Sequence, residues 1–423
     1  MPDRSATAEP GQDRTPQTAE VPLAFHVLSF LPEGDEVTVG RLDEGSFVVL
    51  PQDGAALLRR LYDGQTCAQA AEWYLATYGE SVDIADFVAD LGELGFLLPQ
   101  DGTAPAQPAP VRWMRLGRAV YSPFGAAAFV ALIAAWTVAM VRSPDLVPSY
   151  DHLFFTHYLS VIAVTLFVAQ IPLILVHEAS HALAGRRLGL RSRLSIGRRL
   201  YFVVFQTTMD GLVAVPRRKR FLPILAGMLT DVAVLAVLAL IADATRRDDG
   251  DFSTVGLVAL GVAYPVLLRL IWQCWFFLQT DVYYLAVTVL GCFNLQATSK
   301  QLLANRWSRL RGRPARHDPQ SWHPRDRAVA RWYSNVMLAG YVFALATLAF
   351  TLPPITARVI DNLGPRLTGG GSGGGLADSV LFLLMSVGEV GIACVLFVRE
   401  RRSRRAASPT ATATAPATAS PTS

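Results

Sequence analysis

The residues best able to do chemistry are concentrated in Val176-His177-Glu178-Ala179-Ser180-His181, at the end of a long apolar run. Residues four apart in a helix share a face, so His177 and His181 can offer imidazole nitrogens to one metal ion. Glu178 stands beside that pair, where it can take a proton from water polarised by the ion; this is the mechanical content of H-E-x-x-H. A catalytic zinc has three protein ligands and keeps a fourth position open. Asp281 is the candidate third ligand, a carboxylate just after another apolar run and at a depth comparable to the two histidines. Such a set hydrolyses peptide bonds. Glu178 accepts a proton as water attacks the carbonyl, then delivers one to the leaving amine. Tyr158 to Val176 is almost wholly apolar, so the motif is reached within or at the edge of a membrane span. An ionisable side chain there costs about 2.5–3.5 kcal/mol to insert, which makes it a functional candidate by default.

Asp231, deep in a further apolar run, carries the same cost. Two roles are open to it: a hydrogen-bond partner for a metal-ligating histidine, or an ion pair with Arg269. Glu389 poses the same question without a motif to answer it. His317 and His323 lie in a basic stretch and read as solvated surface residues.

The elements that must position these groups follow from composition. The chain has 423 residues, of which 52% are hydrophobic, and its mean hydropathy is +0.32. That is too apolar for an ordinary soluble protein, so membrane spans come first. The first twenty residues are polar and lack the apolar core of a cleavable signal peptide. Cys67, Cys274, Cys292 and Cys394 are far apart and form no C-x-x-C pair, so neither a thiolate zinc site nor a disulfide framework is expected. A net charge of +4 could suit nucleic acid, but the basic residues fall in blocks flanking apolar runs, as membrane topology requires, and no nucleic-acid partner is expected.

Residues 1–20 read as a disordered tail, and 21–98 as a small soluble α+β domain. Phe25-His26-Val27-Leu28 and Ser46-Phe47-Val48-Val49-Leu50 read as short strands, with turns at Pro32-Glu33-Gly34-Asp35 and Asp43-Glu44-Gly45. Three helices follow, carried by Ala56, Leu57 and Leu61, by Ala70, Ala71, Tyr74 and Leu75, and by Phe87, Leu91 and Leu94, before Gly95 stops the last. The predicted unit is a compact winged helix. Its segments Leu61-Tyr62-Asp63-Gly64-Gln65-Thr66, Tyr74-Leu75-Ala76-Thr77-Tyr78-Gly79 and Leu91-Gly92-Glu93-Leu94-Gly95-Phe96-Leu97 resemble the PqqD-like fold. That resemblance implies a recognition domain for the leader segment of a ribosomally made precursor peptide. A winged helix used only for packing or regulation is the plainer reading. Asp83, Asp86, Asp90 and Glu93 make the last helix acidic, which argues against DNA.

A Pro/Ala/Gln linker at 99–117 leads to a membrane domain over 118–400. Six spans are expected, near 119–141, 158–181, 221–242, 254–277, 333–353 and 377–398, with a glycine-rich external connector at 369–375 and a disordered tail at 401–423. Six spans put every strongly basic block on one side, so both termini are expected in the cytoplasm and the chain in the cell membrane, in contact with the lipid bilayer. Between the second and third spans, Leu200–Gln206 and Leu212–Val215 read as a hairpin turning at Asp210-Gly211. Its edge could hold an extended peptide by main-chain hydrogen bonds; the plainer reading is a loop that skims the membrane.

His177-Glu178-Ala179-Ser180-His181 on one span, Ala226-Gly227 opening the next, and Asp281-Val282-Tyr283-Tyr284 after another resemble the site-2 protease family of membrane metallopeptidases, and within it the peptide zinc metalloprotease branch. Val282 stands where that branch carries glycine. The resemblance implies Zn2+ as cofactor, with His177, His181 and Asp281 as ligands and Glu178 as the catalytic acid/base. The predicted protein is thus a multi-pass α-helical membrane zinc metalloendopeptidase of about six spans with an N-terminal PqqD-like domain, acting on a precursor or leader peptide. The rival is a non-catalytic membrane transport or immunity partner with a structural metal site.

Overall fold

The computed structural model describes residues 21–41, 44–98, 111–200, 202–367 and 377–385, with single positions beyond. The expected tails, the linker up to residue 110, the glycine-rich connector and Glu389 lie outside the described residues.

The N-terminal unit opens with three antiparallel strands in sequence order, β1 (Ser29–Glu33), β2 (Glu36–Arg41) and β3 (Ser46–Pro51). Gly34, at φ +69°, turns β1 into β2, with Glu33 paired to Glu36. The strand expected at 25–28 is instead a single bridge from Phe25 to Leu97, which ties the start of the unit to its end. Three helices follow: α1 (Gln52–Tyr62), α2 (Cys67–Tyr78) and α3 (Ile84–Glu93). Local chemistry sets their starts. Thr66 and Gln69 form a reciprocal capping box on α2, and the Asp83 carboxylate accepts from the first free N–H groups of α3. Val39, Leu58, Leu91 and Phe96 are buried together between sheet and helices.

The rest is mostly helical. The linker reading ends early, because α4 (Met114–Val120) is already helical. Then come α5 (Pro123–Arg142), α6 (Leu159–Arg187), the strands β4 (Arg191–Arg199) and β5 (Phe202–Asp210), α7 (Arg217–Ala244), α8 (Thr254–Trp272), α9 (Asp281–Leu290), α10 (Leu295–Leu310) and α11 (Pro324–Leu367). Among the described residues, five helices are long and apolar enough to cross a membrane: α5, α6, α7, α8 and the Pro324–Phe350 part of α11. Their outward faces are apolar, as at Phe124 (88% exposed) and Phe350 (80% exposed), which suits lipid and not water. The chain reads as membrane-embedded. A further helical stretch, 377–385, begins where the sixth expected span begins, and much of that span lies outside the described residues.

Consecutive spans run antiparallel, so α5 and α7 end on the same side. The end of α6 meets the start of α7, where His181 faces Pro223, and Arg246 beyond α7 pairs with Asp145 beyond α5 at 2.8 Å. α6 is about 44 Å long, more than a bilayer's hydrocarbon thickness, and His177 lies about 27 Å from its start. The motif therefore sits at the end of the span nearest β4 and β5. The hairpin exists, one strand earlier than expected: β4 and β5 pair from Arg191↔Asp210 to Arg199↔Phe202 and turn beside Leu200, at φ +58°. Leu212–Val215, read as its second strand, holds a single 3-10 turn, Leu212–Ala214. The arginines at 191, 193, 198 and 199 disguised β4 as a basic loop.

The N-terminal unit docks at that same end. Glu33, at the β1–β2 turn, ion-pairs with Arg220 at 2.6 Å and with Arg217 at 3.4 Å on α7. Glu36 meets the imidazole of His323 at 2.7 Å, which corrects the reading of His323 as a solvated surface residue. His317 is exposed, as expected.

Candidate metal centre and its cavity

Two hydrogen bonds orient the imidazoles before any ion is considered. The imidazole Nδ1 of His177 faces the Asp231 carboxylate at 3.0 Å, and Nδ1 of His181 faces the Pro223 carbonyl at 2.8 Å. Both partners are acceptors, so each Nδ1 carries the hydrogen and each Nε2 presents a lone pair. These Nε2 atoms lie 3.2 Å apart. The Asp281 Oδ2 atom completes the triangle, 3.5 Å from His177 Nε2 and 3.3 Å from His181 Nε2. That oxygen is buried and accepts no hydrogen bond among the described residues.

Three lone-pair atoms facing one another suit a cation between them. Their spacing supplies a test of fit: zinc bonds of about 2.0–2.1 Å in a tetrahedron require ligand atoms about 3.3–3.4 Å apart. The observed edges bracket that value. His177, His181 and Asp281 are thus a group that could hold a metal ion, with the fourth corner free of further His, Cys, Asp or Glu ligands among the described residues.

Each ligand is held from behind. Asp231 is fully buried and takes both roles left open by the sequence: its Oδ2 accepts from His177 and from Arg269 Nε at 3.0 Å, while Oδ1 accepts from Arg269 Nη2 at 2.6 Å. The guanidinium compensates a carboxylate that would otherwise be costly in a span. Asp281 opens α9, and its N–H donates to the side chain of buried Gln273 at 3.0 Å. Thr280 donates its hydroxyl to the Gln273 carbonyl at 2.7 Å, and Gln279 turns the chain at φ +59°. Gln273 closes this turn and went unnoticed in the sequence, because an amide at the end of an apolar run announces nothing.

Gly227 lets α7 approach the imidazoles. A Cβ there would collide with Nε2 of both His177 and His181. Gly227→Ala is therefore expected to abolish metal binding by displacing the rings, measured as metal content of the purified chain by inductively coupled plasma mass spectrometry. An unchanged content would mean that α7 can retreat.

The group opens onto a cavity of about 440 Å³. Glu178 lines it, 8% exposed, and no hydrogen bond or ion pair among the described residues engages its carboxylate. Its backbone carbonyl accepts from the Thr207 hydroxyl at 3.0 Å, which ties β5 to the motif helix. Residues 206–209 put one side of β5 along the cavity, and β4 pairs only with the other edge. Burial pushes the Cys292 thiol up to about 12 and raises the Tyr283 and Tyr284 phenols, so these three lining groups stay neutral near pH 7. The cavity's charges are left to Glu178, Asp281 and arginines.

No family model, curated protein or solved structure matches this chain.

Proposed function

We propose that this chain is a membrane zinc metalloendopeptidase of the site-2 protease type, which cuts a ribosomally made precursor peptide captured by its N-terminal unit. The observation that carries the reading is a three-donor triangle at tetrahedral spacing, open to a cavity lined by an uncommitted carboxylate. A structural zinc site is closed by four protein ligands, whereas three with an open corner suit catalysis.

Zinc held by His177, His181 and Asp281 would supply Lewis-acid polarisation of the scissile carbonyl and acidify water there. The protein's own residues do the rest. Glu178 takes the proton from the attacking water and passes it to the departing amine. Asp231, with Arg269 behind it, keeps the proton of His177 on Nδ1 and the lone pair on Nε2. The free edge of β5 offers main-chain donors and acceptors to an extended substrate, which lays the scissile bond beside Glu178.

The finer architecture belongs to the same proposal. Three strands followed by three helices suit a PqqD-like recognition unit. Docking of this unit on Arg217 and Arg220 keeps captured peptide beside the cavity and raises its local concentration. Six spans with both termini cytoplasmic are supported by Asp378, whose carboxylate accepts from the N–H groups of Leu159 and Ser160 at 3.1 and 2.8 Å. The stretch from 377 thus starts level with the start of α6.

The test uses the full-length chain in detergent and a degenerate decapeptide library read by mass spectrometry. About one zinc per chain is expected, with cleavage that stops on treatment with 1,10-phenanthroline and returns with Zn2+. Cleavage indifferent to the chelator, or a chain that holds no zinc, would sink the reading.

A further inference from the structure

The cavity has a direction. Asp281, Tyr284, Thr288 and Gly291 all line it, and their spacing of three to four residues makes one face of α9 the cavity floor. α7 runs antiparallel alongside: Gly227 sits at the metal-ligand end, and Arg217 packs against Gly291 at the other. Ten residues of helix separate the two ends by about 15 Å, the span of roughly four to five residues of extended peptide.

Charge divides along that axis. The lining carboxylates, Glu178 and Asp281, stand at the metal-ligand end. Arg217 stands at the far end, 32% exposed at its side chain, with only its Nε paired, at 3.4 Å to Glu33. Its two Nη groups crowd the space above Gly291 and meet no acceptor among the described residues. Arg199, beside the β4–β5 turn, also lines the cavity; its guanidinium lies 5.9 Å from the Trp272 ring and near the Tyr284 phenol, and meets no carboxylate among the described residues. Half-buried guanidiniums carry five donors each and are costly to leave unmatched. By contrast Arg220, also on the wall, is held through Nε and Nη2 by Glu33 and the Val213 and Val215 carbonyls.

We infer that the cavity selects peptides with carboxylate side chains, Arg217 anchoring one roughly four to five residues from the scissile bond and Arg199 receiving a second on the other side. This rests on the peptidase reading for the word scissile, though not for the binding itself. A peptide is favoured over an anionic lipid headgroup because the same cavity presents the unpaired edge of β5, which pairs with a main chain and has nothing to offer a lipid.

The experiment captures a degenerate decapeptide library on the full-length chain in phosphatidylcholine nanodiscs, in the Glu178→Gln background to prevent turnover, and sequences the bound fraction. Asp and Glu are expected to be enriched over Asn and Gln by on the order of tenfold at one position or two. Arg217→Gln should erase one of these preferences, Arg217→Lys should retain part of it, and Arg199→Gln should erase the other. Metal content and thermal unfolding check that each variant is folded. No acidic enrichment, no bound peptide, or enrichment untouched by either Arg→Gln change would overturn the inference. In a parallel preparation with phosphatidylglycerol added to the nanodiscs, loss of phosphatidylglycerol adducts in Arg217→Gln with an unchanged peptide profile would overturn it too, and would assign the site to lipid. Acidic enrichment without hydrolysis by the unsubstituted chain would remove the peptidase reading and leave this one standing. Hydrolysis without acidic preference would do the reverse.

Discussion

Replacing Glu178 by Gln is expected to lower peptide hydrolysis by about 10²–10⁴-fold while zinc stays bound. The carboxylate lines the cavity and belongs neither to the donor triangle nor to any hydrogen bond among the described residues, so the amide fits the same space. What disappears is the proton acceptor. The measurement pairs metal content with the rate of new amino termini formed from the peptide library. Full activity in this variant would remove Glu178 from the chemistry. Loss of zinc along with activity would make it a structural residue instead.

Asp281→Ala is expected to strip the metal by removing one of its ligands. It removes the donor supplied by α9 and leaves two imidazoles, 3.2 Å apart at Nε2, to hold the ion alone. A three-ligand site reduced to two should lose stoichiometric zinc, and activity with it. The backbone should persist, because the N–H of residue 281 still donates to Gln273 and α9 still starts there. Circular dichroism and zinc content on one preparation separate the outcomes. Retention of one zinc per chain would show that the third ligand is some other group.

How much of this was legible beforehand depends on the range of the forces involved. His177, Glu178 and His181 declare themselves because their relation is local: four residues of helix bring the imidazoles to one face whatever the tertiary structure. Apolar runs likewise announce helices that cross a membrane, since twenty such residues have few other places to go. β4 was missed because a strand rich in arginine looks like a basic loop until a partner strand supplies its hydrogen bonds. The turn at Leu200 was missed for a related reason: a non-glycine residue at positive φ leaves no mark in the sequence.

Other features needed the assembled molecule. Asp231 could be placed deep in a span and given two candidate partners, yet only packing of α6, α7 and α8 reveals that one carboxylate serves both. Gly227 is one glycine among 32 until the imidazoles are seen against it. Glu33 lies 187 residues before Arg220, and no spacing rule connects them.

The sequence by itself determined that two imidazoles would share one face of a helix at the edge of an apolar span, with a carboxylate in the neighbouring position, because helical periodicity and insertion cost act over a few residues. Tertiary structure alone decided that Asp281 meets them, that α7 passes closely enough to hold His181 by a backbone carbonyl, and that Arg217 guards the far end of the cavity. Those outcomes depend on how rigid helices pack across gaps of 40 to 100 residues, where chain proximity carries no information and complementarity of shape and charge decides.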